Sequence, residues 1–81
     1  MVMLSPEQCR AARAWLNWSQ EDLAKRASVG LSTVRSFEKG ERIPIANNLA
    51  ALVNAIQAAG IRPVSANDGR PTGITATLQE L

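Results

Sequence analysis

The chain has no histidine, a single cysteine, and no apolar run approaching the about 18 residues that a membrane-spanning helix requires. Without histidine, and with only Cys9, no Ser/His/Asp or Cys/His nucleophile system can be assembled. The same shortage argues against a metal site and rules out an internal disulfide framework, so Cys9 reads as a small core residue. The five glycines are scattered singly and form no phosphate-cradling loop. Charged residues make up 20%, too few for a solvated, disordered tail protein. At the N-terminus, apolar Met1–Leu4 is broken at once by Ser5-Pro6-Glu7, which does not resemble a signal peptide. These absences together predict a cytoplasmic protein with no membrane association, no catalytic residue, no metal and no cofactor.

What remains is 81 residues, 46% of them apolar, with a net charge of +2. That suits one small domain with a thin stability margin, which dimerisation would widen. The mild positive charge permits a nucleic-acid partner without requiring one.

Ser5-Pro6-Glu7-Gln8 opens a first helix with an N-cap, a proline at the first helical position and capping-box spacing. It runs to about Leu16, with Cys9, Ala12 and Leu16 on one face. Trp15 is expected as a partly exposed plate and Trp18 as a core residue bridging to the next helix. Ser19-Gln20-Glu21-Asp22 repeats the capping logic and begins a second helix of about two turns. Its inward stripe is Leu23, Ala24 and Ala27, and Ser28-Val29-Gly30 breaks it. A third helix spans about Leu31 to Lys39 and is closed by Gly40. After the Glu41-Arg42-Ile43-Pro44 loop, Asn47 or Asn48 is expected to cap a fourth helix carrying Leu49, Leu52, Val53 and Ile56 at helical spacing. Beyond Gly60 the pattern leans towards β structure, in Ile61–Ser65 and Gly73–Thr77 around an Asn67-Asp68-Gly69 turn signal. A short hairpin and a flexible tail are both open readings of this stretch. Two strands alone are marginal in water, so a hairpin would need a helix or another chain to pack on.

The span from Gln20 to Phe37 constrains geometry most tightly. Two short helices that cross steeply need a small residue in the first, which Ala24 supplies, and a tight turn, with Val29 tucked beneath it. Val34 and Phe37 anchor one face of the third helix. Leu31, Ser32, Arg35, Ser36 and Lys39 are left free, a short, mostly polar face that is basic at its far end, suited to a DNA groove.

The run from Trp18 to Gly40 resembles the helix-turn-helix of the phage repressor (Cro/C1, or XRE) family. The matching elements are Ser19-Gln20, Leu23-Ala24, Val29, Ser32-Thr33-Val34 and Phe37-Glu38-Lys39-Gly40, and the resemblance extends over roughly residues 5 to 60. It implies an all-α, lambda-repressor-like helical bundle over residues 1–60, followed over 61–81 by the β-leaning segment, a candidate dimerisation element. It implies that Gln20 binds a phosphate, that Leu31, Ser32, Arg35 and Ser36 face base edges, and that Thr33 serves backbone or base. Lys39 and Arg42 would meet phosphates at the far end. Arg13 and Glu38 fall where the family keeps a partly buried ion pair.

Some positions depart from the family. Ser28 stands at a turn position usually held by glycine, which suggests a strained or asparagine-like backbone. Gly30 replaces a Ser or Thr that often caps the third helix. Leu31 is apolar at a base-facing position, where it would read a thymine methyl or pack on a neighbour. Where the family has a fifth helix, often used for dimerisation, this sequence has the β-leaning segment.

The resemblance implies a sequence-specific transcriptional regulator, a repressor, that inserts the third helix into the major groove of double-stranded DNA as a homodimer. Two alternatives share the motif. One is the antitoxin of a toxin–antitoxin pair, with the tail from Ile61 binding the protein partner. The other is an interaction module of the same fold that no longer binds DNA.

Overall fold

A computed structural model describes residues 4–77. Its elements are α1 (Pro6–Leu16), α2 (Gln20–Ala27), α3 (Leu31–Glu38), α4 (Ala46–Ala58), β1 (Ile61–Ser65) and β2 (Pro71–Ala76). The expected helical bundle is present and the C-terminal hairpin left open by the sequence forms, so the fold is mostly helical and not strictly all-α.

Both expected capping boxes form. The Gln8 N–H donates to Ser5 Oγ at 3.1 Å and the Ser5 N–H to Gln8 Oε1 at 2.9 Å, while Ser19 and Asp22 exchange the same two bonds at 2.9 Å each. These bonds satisfy N–H groups that a helix start otherwise leaves orphaned. The Ser19 backbone and hydroxyl hold the Asp22 carboxyl below its ordinary range.

Ser28 closes α2 in the left-handed region (φ 56°), the backbone that glycine adopts at no steric cost. The sequence expectation of strain at this position is met. Ser28→Gly should therefore stabilise the fold by about 1 kcal/mol, read as a rise of roughly 4–8 °C in Tm. A lower Tm would contradict this reading of the turn.

Helix α3 starts without a side-chain cap at Gly30, as the sequence suggests. The expected Asn47 or Asn48 cap on α4 is corrected, because the helix begins earlier, at Ala46, behind Ile45 and without a side-chain cap. Ile45 is extended (φ −58°, ψ 155°) and the chain turns helical directly after it. Ile45 supplies its carbonyl to the Leu49 N–H at 3.0 Å, and both asparagines fall inside the first turn. The burial of Leu52, Val53 and Ile56 holds α4 in place of a cap.

The hairpin reading of the C-terminal stretch holds as far as Thr77; residues 78–81 of the expected tail lie outside the described residues. Strand β2 begins at Pro71, two residues earlier than expected, and ends at Ala76. A bulge between Val64 and Ser65 absorbs Thr72 and lets Pro71 pair with Ser65. The turn is closed by Ala66 N–H to Arg70 O (2.8 Å) and by Asp68, which accepts from the Arg70 backbone and side chain.

One core unites these elements. Cys9, Leu23, Val34, Leu52, Ile56 and Ile61 are its largest fully buried side chains. The hairpin thus contributes Ile61 to the same core as the helices. Trp15 is exposed, as expected. Trp18, expected in the core, is instead half-buried and packs against its edge, with the Arg26 guanidinium 4.4 Å above its ring.

Candidate nucleic-acid interface

The crossing of α2 and α3 follows from a few side chains. Ala24 is buried at the crossing, and its carbonyl accepts the Val29 N–H at 3.0 Å, pulling the turn close. Val34 and Phe37 are buried on the inner face of α3. This one-sided anchoring leaves Ser32, Arg35 and Lys39 exposed, with Thr33 and Ser36 half-buried beside them. Leu31 is half-buried and packs on the core edge, so it does at least one of the two jobs the sequence offered it. Arg42 is exposed in the following loop.

The orientation of α3 is tied to a buried polar cluster around Glu38, whose side chain is 2% exposed. Arg13 reaches it from α1 with two bonds, Nε to Oε2 at 2.7 Å and Nη2 to Oε1 at 2.6 Å, forming the ion pair that the resemblance implied. The Cys9 thiol donates to Oε2 at 3.0 Å, and Gln20 Nε2 donates to Oε1 at 2.9 Å. Arg13 also bonds the Trp18 carbonyl at 3.1 Å, and Arg10 bonds the Glu38 carbonyl at the end of α3. A single carboxylate thereby joins α1, α2 and α3. Burial alone would push its pKa up, but the hydrogen bonds from Arg13, Cys9 and Gln20 outweigh that and hold it below the ordinary range. Burial, with the adjacent carboxylate, pushes the Cys9 thiol well up, so it stays a neutral donor.

The sequence-predicted residues do not all point one way. Arg35, Ser32 and Lys39 share the exposed side of α3. Gln20 is half-buried, and its amide nitrogen is turned inward to Glu38.

Three features lie outside the sequence reading. A groove of about 400 Å³ runs between Ser32, Thr33 and Ser36 of α3 and the segment Arg42–Ile45 with Asn48. Ile43 and Ile45 on its rim are 85% and 70% exposed. Asn48 belongs to this groove and not to a cap. Second, Cys9 is a member of the ionic cluster, for which its place four residues before Arg13 was the only local signal. Third, Gln8 is 3% exposed and donates to Val64 O (2.8 Å) and Gly73 O (3.0 Å), holding the hairpin to α1. Its capping-box spacing gave no hint of that second task.

Among the described residues, no group of His, Cys, Asp and Glu is placed to hold a metal ion, and no helix is long and apolar enough to cross a membrane. A family model described as a helix-turn-helix matches residues 10–58, more than half of the chain. No curated protein matches.

Proposed function

Since the chain belongs to the helix-turn-helix family of the Cro/C1 (XRE) type, a family of DNA-binding regulators, we propose that it is a sequence-specific transcriptional repressor. It acts in the cytoplasm as a homodimer, with α3 of each copy inserted into the major groove of double-stranded DNA. The observation that carries this reading is the one-sided anchoring of α3. Val34 and Phe37 are spent on the core while Ser32, Arg35 and Lys39 face solvent.

In this reading Arg35 bonds a guanine edge or a nearby phosphate, and Ser32 bonds a base. Thr33 and Ser36 flank them, and the exposed part of Leu31 meets a thymine methyl. Lys39 and Arg42 take phosphates at the far end of the helix. The start of α2 takes another through its first backbone N–H groups, with Gln20 beside them, steadied by Glu38. The Glu38 cluster fixes the angle at which α3 leaves the body.

Arg35→Ala tests this directly. Affinity for a duplex bound by the unmodified chain should fall by about 1–3 kcal/mol, or roughly 5- to 150-fold, with an unchanged thermal melt. Affinity should also fall steeply with salt, since phosphate contacts release counterions. Unchanged affinity in Arg35→Ala would remove α3 from the interface. Failure of the unmodified chain to bind any duplex would leave a scaffold that has kept the fold alone.

A further inference from the structure

The hairpin has two outer edges, and they differ. The Thr77 N–H bonds the Gly60 carbonyl at 2.7 Å, and the register pairs Ile61 with Ala76. Antiparallel ladders alternate, so the 62/75 and 64/73 pairs bond each other while residues 61, 63, 74 and 76 turn their N–H and C=O groups outward. On β1 the outward series includes Pro63, which has no N–H, and Arg62 beside it is exposed. Proline and charge are the devices that blunt a sheet edge. Strand β2, Pro71-Thr72-Gly73-Ile74-Thr75-Ala76, carries no charge, and beyond its bulge it has no proline. No hydrogen bond among the described residues takes up the outward groups of Ile74 and Ala76.

We infer that the β2 edge is the dimer contact, where a second copy of this chain adds antiparallel across a two-fold axis at Thr75 to make one four-stranded sheet. This rests on the dimeric reading above. The edge is self-complementary. Ile74 exchanges two backbone bonds with the partner's Ala76, Ala76 exchanges two with the partner's Ile74, and Thr75 meets its own copy in a non-bonded pair. A Thr75-centred register uses both outward residues and keeps the bulged Thr72 out of the ladder. Pairing through β1 would lack a donor at Pro63 and bring two Arg62 side chains together, so a second copy fits β2 and not β1. Nothing on β2 repels its own image. Two-fold contacts of this isologous kind are the commonest way for a chain to pair with itself.

The test uses the full chain in sedimentation velocity, alone and with two substitutions. Ala76→Pro removes the outward N–H, which the hairpin does not use, and should raise the dimer dissociation constant at least tenfold with an unchanged helical spectrum. Thr75→Cys should cross-link to its copy on mild oxidation, because directly opposed antiparallel residues lie within disulfide reach. Thr72→Cys should cross-link far less, and Cys9 is too buried to compete. A dimer unaffected by Ala76→Pro, with Thr75→Cys remaining uncross-linked, overturns the edge assignment while the dimeric reading stands. A chain that stays monomeric on DNA and in solution overturns both.

Discussion

Replacing Arg13 with alanine should cost about 3–5 kcal/mol of stability, because it strands a buried carboxylate. Glu38 would keep only the Cys9 thiol and the Gln20 amide of its present partners, at 3.0 and 2.9 Å. Small domains have only about 5–15 kcal/mol in hand, so the variant should melt roughly 15 °C lower or more. Replacing both partners with leucine should recover much of the loss, since no charge is then left buried. A melt for Arg13→Ala within a few degrees of the unmodified chain would mean that Glu38 is not committed to this pair.

Acid gives a second view of the same group. The Glu38 carboxyl is held below its ordinary value of 4.5. The unfolded chain therefore binds its proton first as pH falls. The stability this group contributes is whole above about pH 4.5 and drains away as pH drops through the lowered native value. Glu38→Gln should remove that part of the acid dependence. Cys9 adds nothing in this range, because its thiol is protonated throughout.

Replacing Gln8 with alanine should cost about 2–4 kcal/mol, the sum of three partly buried hydrogen bonds at their usual net worth. One of the three is the capping bond from the Ser5 N–H at 2.9 Å; the other two hold Val64 and Gly73. Gln8→Glu separates the roles. A carboxylate still accepts from Ser5, but it has no N–H to donate and faces two carbonyl oxygens. Gln8→Glu should therefore release the hairpin even though the helix start survives. Hydrogen exchange of residues 61–76 should accelerate in both variants. If Gln8→Glu protects those amides as well as the unmodified chain does, the hairpin is held by Ile61 and its neighbours alone.

The features readable from the sequence were those set by residues a few positions apart. The Ser5/Gln8 and Ser19/Asp22 boxes need only a three-residue spacing, and the left-handed backbone at Ser28 follows from the resemblance, which places a family glycine there. Ala24, Val29, Val34 and Phe37 were placed correctly because a steep helix crossing accepts few side chains at those points. Missed features depend on segments that meet only after folding. Gln8 lies 56 residues from Val64 and 65 from Gly73, and no local pattern announces that meeting. The inward turn of Gln20 was hidden for the same reason, since Glu38 is 18 residues away. Asn47 and Asn48 misled because cap chemistry says what an asparagine would do at a helix start, not whether the start falls there. The helix starts at Ala46, one and two residues before them. The Thr72 bulge that brings Pro71 into β2 likewise becomes visible only once the strands are paired.

The central claim is that α3, as fixed by Ala24, Val34, Phe37 and the Glu38 cluster, reads DNA. Selecting bound sequences from random duplex DNA at near-physiological salt tests it most directly. The prediction is one enriched consensus of two half-sites related by a two-fold axis, their centres about 10–10.5 base pairs or a multiple apart. Arg35→Ala should lose or relax at least one position in each half-site. A pool that emerges from repeated selection with no enriched sequence would contradict the claim.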